Sequence, residues 1–166
     1  MQPSLIEVAR DLRTRAEQKT PAFSTNAILS TIFPEVLVTG FEFPSAVNEA
    51  TLRAHGGPVI LYRRGMSAPE QRVAIAHGLA HLIFDGDERC RRPHRSSSWR
   101  ERRADAFAAE LLVPFDELAQ LLRFLPSRER DDQQLYLDHV DCLASTFKVP
   151  AALIRQRIRQ LVTSAH

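Results

Sequence analysis

The sequence holds only two cysteines, Cys90 and Cys142, far apart and without a C-x-x-C neighbour, which argues against a disulfide framework and against a cysteine zinc cage. Both are read as free thiols. It also holds no apolar run near the roughly 18 residues that a membrane helix needs. Its start, Met-Gln-Pro-Ser-Leu-Ile-Glu-Val-Ala-Arg, mixes charges at helical spacing where a signal peptide would carry an apolar stretch. A cytoplasmic location is the expectation. Nor is there an excess of charge of one sign: 22 Lys and Arg face 20 Asp and Glu, a net +2 that by itself points to no nucleic-acid partner. Internal repeats and low-complexity segments are missing too. What remains is an ordinary globular composition, 44% hydrophobic and 25% charged over 166 residues, enough for one domain with a sizeable core.

Near the N-terminus Leu5, Val8, Ala9, Leu12 and Ala16 recur every three to four residues, one apolar face of a helix that ends before Pro21. A second short helix is expected over Asn26 to Phe33. Val36 to Phe43, Glu49 to Arg53 and Pro58 to Arg63 are rich in β-branched and aromatic residues and punctuated by Gly40, Pro44 and Gly56-Gly57-Pro58. They read as a small, mostly antiparallel sheet of about three strands, because the connections are too short for helical crossovers. From Ser67 onward the pattern is helical. Ser67 with Glu70 has capping-box spacing, Pro69 suits a first turn and Gly86 suits a stop, so a central helix should run from about Ala68 to Phe84, buried on several sides. A polar, arginine-rich loop follows to Ser97. Ser98 with Glu101 repeats the capping-box spacing and opens a helix through Ala104, Phe107, Ala108, Leu111 and Leu112, interrupted at Pro114. Further helices carry Leu118, Leu121, Leu122 and Leu125, then Leu135 to Phe147, then Leu153 to Leu161, with a charged linker around Ser127 to Gln134.

Two histidines at i and i+4, His77 and His81, can aim their imidazoles at one point from a single helical turn. Alone, such a pair is weak, since core histidines with hydrogen-bond partners arise by chance. It gains weight from Glu101 and Asp105, also at i and i+4 on a following helix, flanked by the small Ala104 and Ala108 that permit close approach. Two histidines and one carboxylate, with a position left open, form a catalytic zinc arrangement and not a closed structural one. Glu101 would be the third ligand, and Asp105 would accept from one imidazole and fix its tautomer. The competing roles are a cap on Ser98 for Glu101 and a surface pair with Arg102 or Arg103 for Asp105.

The string Arg72-Val-Ala-Ile-Ala-His77-Gly-Leu-Ala-His81-Leu-Ile-Phe84, followed by Glu101-Arg-Arg-Ala-Asp105-Ala-Phe-Ala-Ala-Glu110-Leu-Leu-Val-Pro114, resembles the ImmA/IrrE family of zinc metallopeptidases. The N-terminal helix, the sheet before the histidine helix and the segment Leu143 to Ile158 extend the likeness over most of the chain. The resemblance implies an α+β, zincin-like fold: a metallopeptidase domain over 1–126 and a C-terminal helical, helix-turn-helix-like subdomain over 127–166. It implies Zn²⁺ held by His77, His81 and Glu101, and a helix-turn-helix repressor as substrate. One departure matters. The family motif is His-Glu-x-x-His, whose glutamate is the general base, and that position is Gly78 here. Losing a positioned base typically costs about 10²–10⁴-fold in rate, so impaired hydrolysis is expected. Glycine also costs about 1 kcal/mol against alanine inside a helix, so the helix itself gives no reason for it. Three accounts stay open: a natural pseudopeptidase that binds without cutting, an introduced substitution, since one base change separates the two codons, or another acid in the base's place. Glu110 is the nearest candidate acid, several turns along its helix from Glu101, and is set aside.

Tyr62 and His94 are candidate substrate contacts, and His94 with Tyr136 candidate oxyanion donors, though nothing in the sequence places them near the metal. The default readings are a strand aromatic and a solvated loop. The last two helices, with Lys148, Arg155, Arg157 and Arg159, imitate a DNA-binding helix pair, but their Val149-Pro150 turn lacks glycine. Protein contact is the expectation there, and neither membrane nor DNA is expected as a partner. The alternative to an enzyme is a protein-binding regulatory module that uses the degenerate groove.

Overall fold

The computed structural model describes residues 4–16, 21, 24–44, 47–85, 99–124 and 133–164. Helix α1 (Leu5–Arg15) starts at a capping box in which the Glu7 N–H donates to the Ser4 hydroxyl at 3.2 Å and the Ser4 N–H donates to the Glu7 carboxylate at 2.6 Å. Both bonds satisfy amides that a helix start leaves without partners. Its Ala9 and Leu12 are buried, and so is Arg13. The Arg13 guanidinium donates to the Leu111 carbonyl at 2.9 Å and to Glu117 at 2.6 Å. That double contact ties α1 to the end of α4 (Trp99–Leu112) and to α5 (Phe115–Arg123). Helix α2 (Thr25–Ile32) is shorter, capped by the Ser24 hydroxyl, which accepts from the Ala27 N–H at 3.2 Å.

Three strands, β1 (Leu37–Phe41), β2 (Glu49–Ala54) and β3 (Gly57–Arg63), form one sheet in the order β1-β3-β2. Strands β2 and β3 make the expected antiparallel hairpin, with Gly57 at φ +119° in its turn, a conformation that side chains resist. The expectation of a mostly antiparallel sheet needs a correction on the other side, because β1 runs parallel to β3, with Leu37 opposite Val59 and Phe41 opposite Arg63. No helical crossover is needed, since β2 itself carries the chain back and β3 then inserts between the other two strands. The sheet is therefore mixed.

Helix α3 (Ala68–Phe84) crosses the sheet with bounds that match the sequence reading. The backbone N–H and hydroxyl of Ser67 donate to the Glu70 carboxylate at 2.8 and 2.7 Å, and Pro69 falls in the first turn. Residues Ala74 to Ala76 and Gly78 to Leu82 are all buried, which gives the helix its several-sided contact with the sheet and with α4. The Arg53 guanidinium on β2 donates to the Leu82 carbonyl at 2.9 Å and anchors the helix end to the sheet. Gly86, Ser98 and Leu125 lie outside the described residues, so the stop, cap and helix position expected there are not described.

Helices α6 (Gln133–Phe147) and α7 (Ala151–Ser164) meet at a turn where Lys148 has φ +53°. The left-handed residue expected to be glycine at such a helix end is a lysine. One apolar cluster joins Ala9, Ile60, Leu79 and Phe107 to Phe147 and Ile154, so the C-terminal helices share the core of the rest. A buried pair reinforces this: Arg157 donates to the Glu110 carboxylate and, at 3.0 Å, to the Val113 carbonyl. The fold class is α+β. Among the described residues no helix is long and apolar enough to cross a membrane.

Candidate metal centre

Successive turns of α3 place His77 and His81 side by side, their Nε2 atoms 3.0 Å apart. Each ring is held from behind by a carboxylate. His77 Nδ1 lies 3.0 Å from Asp105 Oδ1, and His81 Nδ1 lies 2.6 Å from Asp85 Oδ2. A carboxylate accepts and does not donate, which assigns the ring proton to Nδ1 and leaves the Nε2 lone pairs facing the same point. Two lone pairs at that distance repel unless a cation or a shared proton lies between them.

A third donor joins them from α4. Glu101 Oε2 stands 3.2 Å from His77 Nε2 and 3.6 Å from His81 Nε2. In a tetrahedral zinc site with bonds of about 2.0–2.1 Å, neighbouring ligand atoms sit roughly 3.3–3.4 Å apart. The three spacings bracket that value, so the residues fit a zinc-sized ion. The surrounding charge favours a cation as well, since Glu49, Asp85, Glu101 and Asp105 all lie against the two rings. Burial alone would depress the His77 pKa, but the Asp105 hydrogen bond and the charges of Glu49, Asp105 and Glu101 outweigh it and raise the value.

The sequence reading missed two of these carboxylates. Asp85 is almost fully buried beneath His81, and its other oxygen accepts from Arg103, which also stacks over Trp99 at 4.5 Å. The signal was present, because Asp85 stands four residues after His81 on the same helical face. Glu49 opens β2, where the register pairs it with Tyr62, and its Oε1 lies 4.0 Å from His77 Nε2. Ligand atoms of Glu49, His77 and His81 all fall within 4.8 Å of one another, a second grouping able to hold a metal. Burial pushes the Glu49 carboxyl up to about 7, against the opposing pull of His77 and a hydrogen bond from the Thr51 hydroxyl at 3.3 Å. No local pattern marks Glu49, since it reaches the histidines only through the sheet register.

Gly78 sits where α3 presses on the sheet. A Cβ there would lie 2.8 Å from Ile60 Cγ2 and 2.9 Å from Glu49 Oε2, closer than real Cβ contacts come. The glycine thus has a packing reason that the helix by itself did not supply. The site opens into a cleft of about 400 Å³ lined by Asn48, Glu49, Arg63, His77, Glu101 and Pro150, among others. Tyr62 is outside that lining and covers Gly40, where a Cβ would meet its ring at 3.3 Å. Tyr136 is packed against the core, Glu110 is committed to Arg157, and Cys142 is exposed. His94, Cys90 and the loop arginines before Trp99 lie outside the described residues.

Comparison with known proteins gives three findings. The family model described as Peptidase_M78, the IrrE N-terminal-like domain, matches residues 36–159. No curated protein matches the sequence. A solved structure described as a Mycobacterium tuberculosis transcriptional regulator shares the fold with a TM-score of 0.58 and 16% identity. That match covers 90% of this chain and 44% of the other, so this chain spans less than half of that protein's length.

Proposed function

Because the chain belongs to the IrrE N-terminal-like family of M78 peptidases, we propose that it is a zinc-dependent metalloendopeptidase domain acting on a helix-turn-helix transcriptional repressor. The observation that carries the reading is the convergence of His77 Nε2, His81 Nε2 and Glu101 Oε2 within 3.0–3.6 Å of one another. In this reading those three residues hold the ion, while Asp105 and Asp85 fix the two imidazole tautomers. Zinc held there would supply Lewis acidity. The remaining work falls to the chain: the cleft, with Asn48 and Arg63 in its wall, binds an extended segment of the partner. Residues 1–126 form the peptidase domain and 127–166 a helical subdomain on it.

The regulatory setting is supported by the family and by the fold shared with a transcriptional regulator. In this reading the protein works in the cytoplasm, where a repressor would be met. Direct DNA reading by α7 is disfavoured, since Arg157 is buried against Glu110. A second reading has one observation in its favour: with Gly78 in the motif, the groove can bind a regulator without cutting it. The expectation of impaired hydrolysis applies to the peptidase reading itself, as long as no other carboxylate takes the base's place.

The test is incubation of the zinc-loaded protein with helix-turn-helix regulators from its own genome, followed by mass spectrometry. Two fragments that add up to one regulator support the peptidase. A stable complex with an intact regulator favours the binding module, and neither outcome with any regulator removes that partner class.

A further inference from the structure

We propose that Glu49, reaching across from β2, is the general base of this site and stands in for the carboxylate that position 78 lacks. The inference rests on the metallopeptidase reading above and adds a residue to it. A motif glutamate at position 78 would leave α3 along its Cα–Cβ bond, and 2.9 Å from that Cβ position stands Glu49 Oε2. The carboxylate is present at this side of the histidine pair, but another element supplies it. Position 78 and Glu49 then exclude one another, which gives the glycine a functional meaning as well as a packing one.

Three further observations suit a base better than a ligand. Glu101 is the nearer carboxylate to the Nε2 pair, at 3.2 and 3.6 Å, whereas Glu49 stands 4.0 Å from His77 Nε2. The Glu49 side chain lines the open cleft, where a peptide and a water could both reach it. It is also aimed: Thr51, two residues on and therefore on the same face of β2, donates its hydroxyl to Oε2 at 3.3 Å. A base needs direct contact with the proton it takes, or contact through one water, and this placement allows it. In the step assigned to it, Glu49 accepts a proton from the attacking water as the water oxygen bonds to the scissile carbonyl carbon. The carbon–nitrogen bond then breaks, and Glu49 returns that proton to the leaving amine nitrogen.

The experiment compares the full chain with Glu49→Gln, using zinc alone as one probe and p-nitrophenyl acetate as the other. In the unsubstituted protein we expect about one zinc per chain and zinc-dependent ester hydrolysis. In Glu49→Gln we expect about one zinc per chain to be retained and hydrolysis reduced at least about 100-fold, the lower end of the 10²–10⁴ range typical of a lost base. Added formate should restore part of the rate in Glu49→Ala, a rescue that a merely structural role would not give. Loss of zinc in Glu49→Gln makes Glu49 a ligand and overturns the proposal. Undiminished hydrolysis in Glu49→Gln also overturns it, as does a zinc-loaded unsubstituted protein without zinc-dependent turnover. Failure of the unsubstituted protein to bind zinc is a different result, since it removes the metallopeptidase reading first and this inference with it.

Discussion

Adding one methyl group at position 78 should destabilise this protein, against the usual direction for a glycine inside a helix. On an open helix face Gly→Ala gains about 1 kcal/mol. Here the new Cβ would meet Ile60 Cγ2 at 2.8 Å and Glu49 Oε2 at 2.9 Å. Glu49 can swing its carboxylate aside, but Ile60 is fully buried on the central strand and has nowhere to go. Overpacking of this kind costs about 1–3 kcal/mol. Against the propensity gain the net is a loss of about 1 kcal/mol, or a fall in Tm of about 2–4 °C for a chain of this size. Urea unfolding and thermal melts of Gly78→Ala would measure it. In an Ile60→Ala background the sign should reverse, because the added methyl then fills a cavity. A stabilisation of about 1 kcal/mol in the otherwise unsubstituted protein would refute the claim that α3 touches the sheet at Gly78. For the same reason Gly78→Glu alone would not simply rebuild the family motif, since Ile60 and Glu49 occupy the space.

Asp85→Asn should weaken zinc binding about 10–100-fold, as removal of a ligand's hydrogen-bond partner does, whereas Asp105→Asn should weaken it less because that side chain is 64% exposed; competition with a chromophoric chelator would rank them. Glu110→Ala leaves Arg157 as an uncompensated buried charge and should cost about 3–5 kcal/mol in urea unfolding. Lys148→Gly should raise stability by about 1 kcal/mol, because the left-handed conformation at that turn costs a side chain about 1–2 kcal/mol that glycine avoids; an unchanged melt would argue against the turn geometry.

Features set by nearest neighbours along the chain were legible in the sequence. The bounds of α3 follow from Ser67, Glu70 and Pro69, and the sharing of one face by His77 and His81 follows from helical period alone. Glu101 and Asp105 could be paired with them because small residues on the same face announce a close helix contact. What depends on how elements lie across one another was not legible. Glu49 meets the histidines only because β2 is the strand that presents its first residue beneath α3, a matter of strand order and register. The parallel placement of β1 depends on β3 inserting between its two partners, which no turn signal encodes. Lys148 stands where propensity calls for glycine, and the buried contacts of Phe147 and Val149 on either side hold the turn against that preference. Gly78 was recognised as a departure, but its packing cause lies in Ile60, 18 positions earlier in the chain.

The central claim is that His77, His81 and Glu101 form a metal centre, and the most direct test is the zinc content of the purified full chain beside His81→Ala, after zinc is supplied at neutral pH and excess removed. The account predicts about one zinc per chain in the unsubstituted protein and none retained in the variant, with zinc raising the melting temperature of the former only. Zinc held equally by both, or by neither, would contradict it.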